Sequence, residues 1–234
     1  MRDQLKSFCL PIRQLVLISI GLILVIDLLL APGLAADLSD RPDDTATKFS
    51  AMRADGYKAM YNLEYSEAQK IFEQMSKEFP VHPGCWHFLA TNLWLRTLND
   101  SRRLQTSLYN SDSFYMEEED KVDPGVLQQF REWSRTAKYL AEARLKQNPK
   151  DVEALYFLGA TEGLRAAFAA AVERRFVGAL RESSRGVDHH RDVLKLDPNY
   201  HDAELTIGVY DYVVGSLPGP IKVLAAIGGA RGST

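Results

Sequence analysis

Histidine and cysteine side chains, which commonly bind transition metals, occur in two short segments of this chain. His82, Cys85 and His87 lie within six residues, and His189 and His190 are adjacent. On a helix, His82 and Cys85 share a face that excludes His87, and adjacent histidines point about 100° apart. The sequence contains neither a Cys-x-x-Cys nor a His-Glu-x-x-His motif. We therefore predict no metal site and interpret these histidines as surface or helix-end residues.

The sequence also lacks the motifs that identify common enzyme classes. It has no Gly-x-Ser-x-Gly, phosphate-binding loop or dinucleotide fingerprint, and no pair of carboxylates in an apolar segment. The acidic run at residues 116–120 lacks the alternating ligands and the glycine of a calcium loop. A formal net charge of -3 disfavours nucleic-acid binding, which needs a basic face. We predict a protein that is not an enzyme, needs no cofactor and binds no nucleic acid.

Three arginines are spaced to share one helix face. Arg174, Arg181 and Arg185 lie seven and four residues apart. One interpretation is a surface that contacts an anionic lipid or an acidic partner. The alternative is a solvated face on which these arginines pair with Glu173 and Glu182. The sequence leaves both interpretations open.

Proline marks the ends of the elements that must position these side chains. Pro80, Pro149 and Pro198 each follow one apolar-periodic segment and precede another. Because proline cannot continue a helix, each one separates two helical hairpins. The recurrence predicts an all-α chain built as a solenoid of antiparallel helix hairpins.

The apolar periodicity places a helical domain at residues 47–214, with an acidic insertion near 111–124. We expect its first six helices at residues 47–62, 65–78, 83–109, 124–147, 151–170 and 171–196.

The chain resembles the tetratricopeptide repeat family, whose unit is a helix–turn–helix of about 34 residues. In the first hairpin, Gly56, Ala68, Phe72 and Pro80 fall at the family's small, alanine, aromatic and proline positions. The later matches are Trp86, Ala90, Pro149, Gly159, Pro198 and Gly208. The array is irregular, because the three prolines that separate the hairpins are 69 and 49 residues apart. The resemblance implies a right-handed solenoid that binds a protein or peptide.

The same resemblance implies a binding groove, because the first helix of each hairpin lines the concave face in this family. The positions carried over are Arg53, Tyr57, His87, Thr91, Trp94, Glu153, Tyr156 and Tyr212. Arginine and aromatic side chains are typical anchors of binding surfaces. The alternative for Trp94 and Tyr156 is burial in the core, and the sequence does not decide between the two.

The N-terminus has the order of a secretory signal peptide. Arg2, Lys6 and Arg13 precede an apolar run at residues 15–30, and small residues follow at 31–36. We therefore expect residues 1–36 to be a signal peptide, with residues 37–46 as a polar linker. The alternative is an uncleaved anchor formed by residues 15–30 in the inner membrane. Export to the periplasm or the extracellular space follows from the first interpretation.

Residues 215–234 predict a turn and a short apolar helix with proline near its start. With Gly208, Tyr210 and Tyr212 before it, this region resembles exported bacterial tetratricopeptide proteins and, distantly, the tetratricopeptide repeat protein 39 family. No polar capping helix is evident at this end. We therefore expect an incomplete C-terminus or an end that packs on another chain.

Two functions are consistent with these features. The first is a non-enzymatic adaptor in the cell envelope that holds a peptide or protein segment in the concave groove. The second is a membrane-anchored assembly subunit that self-associates through its uncapped C-terminal end, which would make it a homo-oligomer.

Overall fold

The computed structural model describes residues 44–102, 104, 122–173 and 175–216. Within these ranges the chain is all-helical and has no strand, as the sequence predicts. The signal peptide, most of the acidic insertion and the C-terminal apolar helix lie outside the described residues. The helices of the described ranges are α1 (Asp44–Tyr61), α2 (Tyr65–Glu78), α3 (Pro83–Asp100), α4 (Pro124–Gln147), α5 (Val152–Ala171), α6 (Phe176–Leu196) and α7 (His201–Ser216).

Local sequence explains where three of these helices begin. The side chain of Asp123 accepts a hydrogen bond from the backbone N–H of Gly125, and that of Asp151 accepts one from Ala154. His82 does the same through Nδ1, which accepts from the N–H of Gly84. These contacts satisfy N–H groups that have no partner inside the helix. In α3 and α4 the next residue is proline, whose fixed φ suits the first helical position.

Two predicted boundaries are wrong. Helix α3 ends at Asp100, well before residue 109, and the turn that follows places Arg102 at a φ of 55°. Helix α6 begins at Phe176 and not at residue 171, because the alanine-rich end of α5 continues to Ala171. Alanine has the highest helix propensity, so this segment extends α5 before the chain turns.

The helices pack in the order in which they occur along the chain. Each helix from α1 to α6 packs on the next, and two further contacts join α3 to α5 and α5 to α7. Alternate helices therefore touch on one side of the stack. This arrangement is consistent with a helical repeat, in which each unit contacts mainly its neighbours.

Phenylalanine rings connect the hairpins through one continuous core. The ring centroid of Phe88 in α3 lies 5.5 Å from that of Phe72 in α2 and 5.7 Å from that of Phe157 in α5. All three side chains are buried. Burying a phenylalanine contributes about 1.5–3 kcal/mol, so these rings stabilise the contacts between successive hairpins.

Glycine permits a close contact between α5 and α6. A Cβ atom at Gly159 would lie 2.4 Å from Cδ2 of His190 and 2.8 Å from the backbone oxygen of Gly186. Gly56 similarly accommodates the ring of Phe72, which a Cβ atom would approach to 2.2 Å. Gly208 has no such neighbour within 4 Å. Close packing therefore explains why glycine occupies positions 56 and 159, but it does not explain the glycine at position 208.

Other residues at repeat-defining positions are divided between the core and the turns. Ala68 and Ala90 are fully buried, whereas Trp86 is half-buried and donates through Nε1 to the backbone oxygen of Pro80. Pro149 and Pro198 lie exposed in the turns before α5 and α7. No helix in the described ranges is long and apolar enough to cross a membrane.

Candidate functional site

Three of the predicted groove residues lie inside the protein. His87, Thr91 and Trp94 project from α3, and their exposed fractions are 8%, 2% and 0%. They therefore cannot anchor a ligand on an open surface, and this corrects the groove expected from the family resemblance. The reason is that α4 and α5 both pack on α3 and cover this face. The core alternative is the one that the structure favours for Trp94.

Three other predicted residues do lie near one another, together with two that the prediction missed. Arg53 is on α1, and Glu153 and Tyr156 are on α5. Tyr200 immediately precedes α7, and Asp202 lies in its first turn. We refer to these five residues as the α1–α5–α7 surface. Arg53 lies close enough to Tyr200 and Asp202 to affect the pKa of each of them. The chain thus brings its first and last described helices to one surface.

Tyr200 is the aromatic residue that connects α7 to this surface. Its ring centroid lies 4.9 Å from that of Tyr156. Burial raises the pKa of the Tyr200 hydroxyl to about 12, with further increases from Asp202 and Glu153, whereas Arg53 acts in the opposite direction. The hydroxyl is therefore neutral at physiological pH and available as a hydrogen-bond donor. The sequence pattern around Pro198 predicts a helix break and gives no signal that Tyr200, two residues later, contacts Tyr156.

Glu153 is held by its own protein. Its Oε1 lies 3.2 Å from Nε2 of His82, and its Oε2 lies 2.8 Å from Nη1 of Arg144. Because Nδ1 of His82 already accepts from Gly84, a neutral His82 carries its proton on Nε2 and donates to Glu153. These bonds, led by the one from His82, lower the pKa of Glu153 to about 2. Glu153 therefore links α5 to the end of α4 and to the residue that caps α3. Both of its carboxylate oxygens already accept a hydrogen bond within the protein.

Arg144 strengthens the same junction. Its Nε and Nη2 bond to the two carboxylate oxygens of Asp151 at 2.8 and 3.0 Å. This bidentate geometry is the strongest arrangement for an arginine–carboxylate pair. Asp151 also caps α5, so the end of α4 and the start of α5 are fixed together.

The remaining predicted groove residues, Tyr57 and Tyr212, add little to an open site. Tyr57 is half-buried, with its ring centroid 5.3 Å from that of Phe88 and 5.9 Å from that of Tyr61. It therefore packs largely on the core. The side chain of Tyr212 lies outside the described residues.

Two histidines predicted to lie at the surface or at helix ends are instead buried between helices. Nδ1 of His87 lies 3.2 Å from Oγ1 of Thr161, and Nε2 of His190 lies 3.1 Å from the backbone oxygen of Tyr156. Burial lowers the pKa of each histidine to about 4. Both are therefore neutral at physiological pH. Sequence spacing gives no signal for this, because their partners are 74 and 34 residues away.

The arginine face predicted from sequence is divided among different roles. Arg185 donates from Nε to the buried carboxylate of Glu162 at 3.2 Å, and Arg181 is exposed. Arg174 lies outside the described residues. The expected pairing with acidic neighbours also differs, because Glu182 binds Arg165. Arg185 is therefore partly engaged by its own protein, and the contact of this face with an anionic partner stays a prediction.

Glu162, the partner of Arg185, is a deeply buried carboxylate. It is 1% exposed, and its Oε1 accepts from Nζ of Lys138 at 2.7 Å as well as from Arg185. Nε2 of His189 lies 3.7 Å from its Oε2. The carboxylate is thus surrounded by basic groups from α4 and α6.

Within the described ranges, no three His, Cys, Asp or Glu side chains form a group that could hold a metal ion. Comparisons with protein-family models, curated proteins and solved structures found no match to this chain. The chemical capacity of the α1–α5–α7 surface therefore has to be judged from its own residues. They offer one guanidinium, a pair of tyrosine rings and two carboxylates, which suits binding through hydrogen bonds and aromatic contacts.

Proposed function

We propose that this protein is a non-enzymatic adaptor that holds a segment of another protein, or a peptide, on the α1–α5–α7 surface. The observation that carries the proposal is the ring contact between Tyr156 and Tyr200, whose centroids lie 4.9 Å apart, with the charge of Arg53 acting on Tyr200 and Asp202. Because Tyr156 belongs to α5 and Tyr200 immediately precedes α7, a segment bound there contacts more than one helical hairpin. A helical repeat is well suited to this role, since it presents a rigid extended surface.

The surface suits a segment that has both an apolar and an acidic side chain. Tyr156 and Tyr200 provide a half-buried aromatic platform on which an apolar side chain can rest. Arg53 is exposed, and its charge acts on the neighbouring Tyr200 and Asp202. Its guanidinium is therefore available to a carboxylate of the bound segment.

We also propose that the stack is a right-handed solenoid of the tetratricopeptide type. The close contact of Gly56 with Phe72 and the complete burial of Ala68 and Ala90 support this assignment. The contacts between alternate helices support it as well. In this proposal residues 1–36 direct export, so the adaptor acts in the cell envelope.

The test is affinity capture from a cell-envelope extract with the full chain as bait. The variant is Arg53→Glu, and the control is Lys58→Glu, which makes the same charge change at another exposed position of α1. We expect a protein that the original chain and the Lys58→Glu control both retain and that Arg53→Glu loses. Circular dichroism must show that all three baits are folded.

Two outcomes would contradict the adaptor. Equal retention by Arg53→Glu and Lys58→Glu would show that the partner binds elsewhere. Capture of only a second copy of the chain would favour the assembly subunit instead.

A further inference from the structure

A second concave feature lies on a different part of the molecule, between α4, α5 and the start of α6. It is a cleft of about 130 Å³. Its lining includes Arg131 and Arg135 from α4, Arg165 from α5 and Arg175 from the turn before α6. None of these residues belongs to the α1–α5–α7 surface.

The cleft has more positive than negative charge. Four arginines and two glutamates line it, which leaves an excess of two positive charges. Glu173 bonds to both Arg131 and Arg175, and Glu182 bonds to Arg165. The glutamates therefore hold three of the guanidinium groups in place without neutralising the whole set.

Arg135 is the one arginine lining the cleft whose guanidinium bonds to neither Glu173 nor Glu182. It is exposed, and it makes no hydrogen bond or ion pair with any other described residue. Its five N–H donors are therefore open to a ligand in the cleft. A neighbouring donor, Nη1 of Arg165, is 3.4 Å from Oγ of Ser134, which keeps that guanidinium close to α4.

Two stacked phenylalanine rings form the apolar part of the cleft. The ring centroids of Phe130 and Phe168 are 3.7 Å apart with an interplanar angle of 9°, and both side chains are buried. The rings line the cleft together with the guanidinium groups, of which those of Arg131 and Arg175 are more than half exposed. A ligand in the cleft therefore meets both apolar and positively charged side chains.

We propose that this cleft binds a phosphate group, either as free phosphate or as the phosphomonoester of a small molecule. Its excess charge matches the charge of about -1.5 to -2 that a phosphomonoester carries at neutral pH. Arginine forks bind phosphate oxygens in a bidentate manner. The volume of about 130 Å³ is far below the roughly 300–1,000 Å³ of pockets for drug-sized ligands. The cleft therefore suits one compact oxyanion.

Isothermal titration of the full chain at constant ionic strength tests this proposal. The probes are inorganic phosphate and phosphoserine, and each should bind saturably at one site per chain. Tighter binding of phosphoserine identifies a phosphomonoester as the ligand, whereas equal or tighter binding of inorganic phosphate identifies the free anion.

The decisive variant is Arg135→Gln, with Arg181→Gln as its control. Both remove one positive charge from an exposed arginine, but only Arg135 lines the cleft. We expect Arg135→Gln to weaken phosphate binding about tenfold, the size of one lost charged hydrogen bond. Arg181→Gln should leave the dissociation constant within about twofold. Arg135→Lys should retain part of the affinity, because lysine keeps the charge but loses the fork.

Two results would overturn the proposal. The first is the absence of saturable binding by the unmodified chain. The second is an equal loss of affinity in Arg135→Gln and Arg181→Gln, which would show that phosphate responds only to overall charge.

Discussion

Glu162 on α5 is almost completely buried, and its carboxylate lies 2.7 Å from the ammonium group of Lys138 on α4. Arg185 on α6 donates to the same oxygen. A buried charge is costly unless it is paired and hydrogen-bonded. This one carboxylate therefore requires α4, α5 and α6 to be packed together, and we expect the free energy of unfolding to depend on it.

The first prediction concerns the variant Glu162→Gln, which keeps the shape of the side chain but removes its charge. We expect the free energy of unfolding to fall by about 1–3 kcal/mol, because the bonds to Lys138 and Arg185 lose their charge assistance. Glu142→Gln is the control, since Glu142 is a half-exposed partner of the same lysine at 3.7 Å. That change should cost about 0.5 kcal/mol or less. Urea unfolding measures both, and equal costs would contradict the prediction.

The second prediction concerns acid stability. Burial lowers the pKa of His87 and of His190 from 6.5 to about 4 in the folded chain. Between pH 4 and pH 6.5 the unfolded state binds more protons than the folded state. The contribution of these neutral histidines to the free energy of unfolding is therefore fully present above pH 6.5 and is lost as the pH decreases towards 4. The loss is about 1.4 kcal/mol per pH unit for each histidine that is protonated only on unfolding.

Urea unfolding at several pH values measures this slope. We expect His87→Gln to reduce it, because one of the two buried groups no longer titrates. His201→Gln is the control, since His201 is exposed on the first turn of α7. A slope that is unchanged in His87→Gln would show that other groups cause the acid sensitivity.

The third prediction compares two glycines of the same helix. Gly159→Ala places a methyl group against His190 and the backbone of Gly186, so we expect a destabilisation of about 1–3 kcal/mol. A Cβ atom at Gly163 meets nothing within 4 Å. Gly163→Ala should therefore stabilise the protein by up to about 1 kcal/mol through helix propensity. Thermal unfolding distinguishes the two, and a stabilised Gly159→Ala variant would mean that α5 and α6 are less closely packed.

The parts of the fold that sequence predicts well are those determined by adjacent residues. The predicted bounds of α2 and α4 match the structure, and at α4 the cap Asp123 and the adjacent Pro124 act locally to fix the start. The end of α3 and the start of α6 were predicted incorrectly, because apolar periodicity gives no clear signal at a turn. Short segments of sequence therefore predict that a helix forms more reliably than they predict the residue at which it ends.

The candidate site depends on contacts between distant segments, and sequence predicts it less well. His87 was expected in a groove, but its partner Thr161 lies 74 residues away in α5. Arg185 was assigned to an arginine face from its spacing alone, which gives no signal for its hydrogen bond to Glu162 on α5. Tyr200 was missed because its segment was interpreted only as a helix break. In each case a neighbour on another helix determines whether the side chain is open or buried.

The fourth prediction separates the core from the binding surface. Trp94 is fully buried on α3, so Trp94→Ala should lower the free energy of unfolding by about 3–5 kcal/mol. Tyr139→Ala is the control, because Tyr139 is 65% exposed and its loss should cost about 0.5 kcal/mol or less. If the Trp94→Ala variant remains folded, its affinity for a captured partner should equal that of the unmodified chain, since Trp94 does not reach the α1–α5–α7 surface. Loss of that affinity in a folded Trp94→Ala variant would place the partner on α3, where the family resemblance had put the groove.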